Sequence, residues 1–188
     1  LEEATTHTGD TVLSGTGEIK PATPPTAPNR SPGGRLIITA KEALKTNASL
    51  NLTNFEVTFS SDGTNTMTGN NQTFNTLSGD KLSSITVNDT SPTNNASDTR
   101  RHLTINQKSD GAFTGVFEGD GTLGNGHVKK TGDGTLTLTS SQRGSGTFEI
   151  ANGVVRDNGN LVWWDGGPRG FSKIELTNSG GNAGVLDL

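Results

Sequence analysis

Short stretches in which polar and apolar residues alternate are the dominant pattern along this chain. Residues 135–139 read Thr-Leu-Thr-Leu-Thr, and residues 147–150 read Thr-Phe-Glu-Ile. Because successive side chains of a β-strand point to opposite faces, this alternation predicts strands with one buried face. Gly132 and Gly134 precede the first stretch and Asn152-Gly153 closes the second, where a tight turn favours glycine and a positive φ.

Similar stretches follow one another from residue 36 to the end of the sequence. Clusters of Gly, Asn, Asp and Ser separate them, at a spacing of about 8–14 residues that is typical of all-β sandwiches, barrels and solenoids. Residues 11–13 add one candidate strand near the beginning. From residue 36 onward, we expect strands near 36–39, 50–53, 55–59, 73–77, 82–87, 103–106, 112–117, 135–139, 147–150, 161–164, 173–177 and 185–188.

Prolines divide the chain. Residues 21–35 contain five of its seven prolines, and proline cannot donate a hydrogen bond to a sheet. We interpret 21–35 as a linker or a surface strap, with 1–20 as an N-terminal strand and tail and 36–188 as a β-repeat domain.

One segment carries a family resemblance. Residues 124–155 resemble the strand repeat associated with bacterial autotransporter passengers, whose pattern is G-x-G-x-x-x-K-T-G-x-G-T-L-T-L followed by a second Gly/Thr-rich strand. The stretch from 113 to 121 is similar to the strand that often precedes this repeat, so we place the repeat core at 113–157. The matching positions are Gly124, Gly126, Lys130, Thr131, Gly132, Gly134, Thr135, Leu136, Thr137, Leu138, Gly146, Thr147, Gly153, Val154 and Val155.

The repeated short strands predict the architecture of the chain. The resemblance implies a secreted, repetitive β-structure, and stacked units of roughly twenty residues would bury a continuous apolar core. We therefore expect an all-β fold, a right-handed β-solenoid or β-helix-like stack of short strands. A β-sandwich is the alternative, because the clear repeat occurs only once in the sequence.

Composition and charge exclude several function classes. The chain has 188 residues, 26 glycines and no cysteine, so thiolate zinc sites, disulfides and cysteine nucleophiles are absent. Its net charge of −4 and its lack of a basic cluster argue against nucleic acid binding. The three histidines have no ligand spacing, and we expect no metal and no cofactor. We find no transmembrane segment and no signal peptide in this sequence, and infer export from the resemblance.

Two aspartates are the candidates for catalysis. Asp120 and Asp133 lie in similar Gly-Asp-Gly-Thr contexts, and two carboxylates that share a site can act as acid and base. Aspartic peptidases carry Asp-Thr-Gly or Asp-Ser-Gly rather than this order. Turn formation, in which Asp bonds its own backbone, is the favoured interpretation of both residues.

An unusual segment near the end is the candidate ligand platform. Trp163 and Trp164 are followed by Asp165 and Arg169. Neighbouring strand residues face opposite ways, so one indole would be exposed beside polar groups, as in sugar and peptide sites. In the favoured interpretation, one tryptophan enters the core and the second packs under a loop or caps the end of the stack.

These features favour a secreted or surface-exposed passenger-type protein. It would act as an adhesin or binding scaffold toward glycans, glycoproteins or host surface proteins. A secreted acid-type hydrolase acting on mucin-like glycoprotein is one alternative, and a structural spacer is another. Enzyme activity is uncertain, and the sequence leans against it.

Overall fold

The computed structural model describes residues 10–15, 18–20, 29–31, 33–38, 43–44, 47–60, 70–88, 102–118, 127–140, 142, 146–158, 171, 173–179 and 182–188. Every regular element in these ranges is a strand. In chain order the strands are β1 (Thr11–Ser14), β2 (Glu18–Lys20), β3 (Asn29–Ser31), β4 (Gly34–Ile38), β5 (Ala48–Thr53), β6 (Phe55–Ser60), β7 (Asn70–Gly79), β8 (Ser84–Asn88), β9 (His102–Asn106), β10 (Gly111–Phe113), β11 (Val116–Glu118), β12 (His127–Thr131), β13 (Thr135–Leu138), β14 (Thr147–Ile150), β15 (Val154–Asp157), β16 (Lys173–Leu176), β17 (Asn178–Ser179), β18 (Asn182–Ala183) and β19 (Val185–Asp187).

Most strands join one 11-stranded sheet. Its order is β16-β14-β12-β9-β7-β10-β13-β15-β19, with β5 paired to β7 and β1 paired to β5. A second sheet has the order β11-β8-β6-β4. All ladders in the two sheets are parallel, and the antiparallel pairs are the separate hairpins β2–β3 and β17–β18.

Strand β7 joins the two halves of the large sheet. Its first residues pair with β9, whereas its last residue, Gly79, pairs with Phe113 of β10. A ten-residue strand can do this because the two shorter strands occupy different parts of its length. We call β9, β12, β14 and β16 the first wing, and β10, β13, β15 and β19 the second wing.

The core follows from the alternation. Within the first wing, the inward row contains Leu103, Val128 and Phe148, which are directly opposite one another and buried. Phe117 of the second sheet reaches this row, with its ring centroid 5.8 Å from that of Phe148. Burial of an aromatic side chain of this size stabilises the fold by about 2–3 kcal/mol.

Most of the strand predictions that fall on described residues are confirmed. Strands near 50–53, 55–59, 135–139, 147–150 and 185–188 are present within one or two residues, and Gly132 and Gly153 have φ of 79° and 67°. The predicted strand at 112–117 is instead two strands, because the chain turns at Gly115. Strands β12 and β15 were not predicted, and 161–164 lies outside the described residues.

The predicted fold class is wrong. A right-handed β-solenoid of short, regular coils would repeat at a near-constant interval, but Thr135 pairs with Val154 whereas Thr11 pairs with Leu50, twice as far along the chain. The strands form instead a mostly parallel, nearly closed, barrel-like arrangement around one apolar cluster. The β-sandwich alternative is wrong as well, since sandwiches are antiparallel and these sheets are parallel.

Candidate functional site

A lysine lies in the apolar core of the first wing. Lys130 pairs with Ile105 on one side and Ile150 on the other, so it belongs to an inward-facing row. It is fully buried, at 0% exposure. Its position follows from the alternation of β12, in which Val128 and Lys130 share the buried face. A buried ammonium is stable only when its three donors are satisfied.

Three backbone carbonyls satisfy this ammonium. Nζ of Lys130 donates to the carbonyl oxygens of Gly132 and Gly134 at 2.6 Å each, and to that of Asn152 at 2.9 Å. The left-handed conformations of Gly132 and Gly153 shape the two turns that present these oxygens. Lys130 therefore links the turn after β12 to the turn after β14.

The electrostatics of Lys130 fit a structural role. Burial lowers its pKa to about 8, and the negative charges of Asp133 and Asp110 act in the opposite direction. The side chain therefore remains protonated at neutral pH. With all three protons donated to carbonyls, it has no free donor or lone pair for a ligand.

The structure describes one of the two predicted catalytic aspartates. Asp133 is exposed, and its Oδ1 accepts a hydrogen bond of 2.9 Å from Asn152 Nδ2. Asp120 lies outside the described residues, so the proposed pair stays a prediction. Asp110, which sequence reasoning did not select, accepts the backbone N–H of Thr135 at 2.7 Å, and this hydrogen bond lowers its pKa.

The predicted ligand platform also lies outside the described residues. This applies to Trp163, Trp164, Asp165 and Arg169. Strand β15 precedes this segment in sequence, and Phe171 follows it with its ring centroid 5.1 Å from that of Phe148.

A charged cluster lies on the side of the first wing opposite the apolar row, and its central residue, Glu149, is only 8% exposed. Oε2 of Glu149 lies 3.0 Å from His127 Nε2, and its Oε1 lies 3.0 Å from Lys129 Nζ. The hydroxyl of Thr177 donates to the same Oε1 at 2.8 Å. We call these four residues the Glu149 cluster. Sequence reasoning missed it because its members come from β12, β14 and the end of β16.

Glu149 remains ionised in this setting. Burial alone would raise its pKa, but the hydrogen bonds from Thr177 and Lys129 and the nearby charges of Lys129 and His127 outweigh it, so its pKa lies below the usual value. A carboxyl that acts as a general acid needs a raised pKa. The arrangement therefore offers a fixed acceptor flanked by donors, which suits ligand binding better than proton transfer.

The neighbouring strand extends the charged surface. Glu175 of β16 lies directly opposite Glu149 in the parallel ladder. Lys173, also on β16, forms an ion pair with Glu175. Each carboxylate thus has its own lysine. The two glutamates do not share a proton in the way a catalytic pair does.

Within the described ranges, no group of three His, Cys, Asp or Glu residues could hold a metal ion. The same residues contain no helix that is long and apolar enough to cross a membrane.

Comparison with known proteins does not connect this chain to a family. No protein-family model matches the sequence, and neither the curated proteins nor the solved structures give a significant match.

Proposed function

We propose that this chain is a non-catalytic part of a secreted or surface-exposed passenger-type repeat protein, and that it binds glycans or host surface proteins. The sequence resemblance over 113–157 supports the secreted, repetitive character. The side of the first wing opposite the apolar row supports the binding role.

The observation that carries the proposal is the state of Glu149. Its carboxylate is ionised and held in place by Lys129, His127 and Thr177. Glu149 is buried, so a ligand on this side would meet the partly exposed ammonium of Lys129, which Glu149 holds in place. A fixed ammonium can donate to sugar hydroxyls or peptide carbonyls with little reorganisation upon binding.

The tryptophan segment is the second part of the proposed site, on the sequence argument alone. In chain order it leads into β16, the last strand of the first wing. We assign Trp163 and Trp164 the apolar platform of the ligand site, with Asp165 and Arg169 at its rim. Aromatic anchors of this kind supply most of the binding energy in mixed polar sites.

Binding to arrays of glycans and of extracellular host proteins tests the proposal. We expect the wild type to bind at least one class of ligand, and Trp163→Ala, Trp164→Ala and Glu149→Gln each to weaken binding about tenfold or more. Arg35→Ala is the matched control, because it removes an ion pair with Glu56 on the second sheet and should leave binding unchanged.

Two results would contradict the proposal. The first is a lack of binding by the folded wild type on both arrays, which would favour a spacer. The second is cleavage of a mucin-like glycoprotein between about pH 3 and pH 8. If Asp120→Asn and Asp133→Asn abolished that cleavage, the acid hydrolase would replace the binding scaffold.

A further inference from the structure

The end strand of the first wing has an unusual edge. Strand β16 pairs with β14 on one side, and within the described part of the chain no strand pairs with its other side. An open strand edge presents unpaired N–H and C=O groups that can accept another strand. Leu176 is 58% exposed, although Ile150, its neighbour in the same row, is fully buried. The apolar core thus reaches the surface at this edge.

The side chains along β16 make this edge complementary to itself. Lys173 and Glu175 flank Ile174 and share one face of the strand. If two copies of β16 are placed antiparallel and centred on Ile174, each Lys173 lies opposite the Glu175 of the other copy. Opposite charges at facing positions stabilise a pair of strands, and like charges destabilise it. Both side chains are accessible, at 59% and 34% exposure.

From this edge we propose that two copies of the chain associate through β16 as an antiparallel pair. The contact is isologous, because the same surface is used on both copies and a two-fold axis passes between the two Ile174 residues. Each dimer contains two Lys173–Glu175 pairs between copies, which replace the pair within each strand. A strand edge is a small interface, so the association is weak and depends on protein concentration.

Sedimentation analysis over about 1 µM to about 1 mM protein tests this inference. We expect the wild type to pass from monomer to dimer within that range. Glu175→Lys and Lys173→Glu should each weaken association about tenfold or more, since like charges then face each other. The double variant that carries both changes restores the opposite charges and should dimerise like the wild type.

Asp187→Lys is the matched control. Asp187 lies on β19, the end strand of the second wing, and the change disrupts its exposed ion pair with Arg156 of β15. It should leave association unchanged. Circular dichroism checks that every variant is folded, and Glu175→Gln replaces any variant that is not.

Several outcomes would overturn the inference. They are a wild type that stays monomeric throughout, single variants that associate as well as the wild type, and a double variant that remains monomeric. An Asp187→Lys variant that loses association would assign the contact to β19 instead. None of these outcomes depends on ligand binding, so the inference can fail while the proposed function stands.

Discussion

Replacing Lys130 with methionine should destabilise this protein strongly. Methionine has a similar length and fits an apolar row, so the change removes the ammonium without leaving a large cavity. The carbonyl oxygens of Gly132, Gly134 and Asn152 then lose the donor that they share. Leaving a buried acceptor without its partner costs about 1–3 kcal/mol.

The net effect is smaller than the sum of three lost bonds. Methionine also removes the cost of burying a charge. The lowered pKa of Lys130, about 8, reflects this cost. That shift corresponds to about 3 kcal/mol in favour of the neutral form. We therefore expect Lys130→Met to lower the free energy of unfolding by about 2–4 kcal/mol, within the range for breaking a buried charged contact.

Urea unfolding followed by far-UV circular dichroism measures this effect. Lys129→Met is the matched control, because Lys129 is the preceding residue on the same strand but lies partly exposed on the opposite face, where it pairs with the buried Glu149. We expect that control to cost less than Lys130→Met, because Glu149 keeps the hydrogen bond from Thr177. Equal stabilities of the two variants would refute the view that Lys130 holds the turns together.

Further predictions concern pH, turn geometry and acid stability. Between pH 8 and about 10.5, Lys130 keeps its proton in the unfolded chain and loses it in the folded protein. The free energy of unfolding of the wild type, relative to that of Lys130→Met, should therefore rise with pH across this window. Urea titrations at several pH values measure this. Gly153→Ala should lower the free energy of unfolding by about 2–4 kcal/mol. The φ of Gly153 is 67°, and an added methyl group would collide with Lys130 Nζ and the carbonyl oxygen of Gly132. A melting temperature near that of the wild type would contradict this. Burial alone would raise the pKa of Asp80, but hydrogen bonds from the Ser83 hydroxyl and from backbone N–H groups lower it. The ionised Asp80 carboxylate therefore stabilises the folded state, and this contribution is lost as pH falls through the folded pKa. Asp80→Asn should reduce the dependence of the free energy of unfolding on pH in the acid range.

The sequence alone determined the local structure in the best patterned regions. Strict alternation fixed strands at residues 135–138 and 147–150, because a period of two is compatible with little else. The positive φ of Gly132 and Gly153 followed from their place in tight turns. The sequence prediction does not include β12, which carries two consecutive lysines, or β15, in which the apolar residues Val154 and Val155 are adjacent rather than alternating.

The tertiary structure decided which strands are neighbours, and with that the fold and the Glu149 cluster. A period of two tells which side chains share a face, but it does not tell which strand lies beside which. His127 and Glu149 meet only because β12 and β14 pair in parallel. The burial of Lys130 is likewise a tertiary result. A lysine on the apolar side of a strand is stable only where a second turn brings its carbonyl to the ammonium, and that turn is formed by a distant part of the chain.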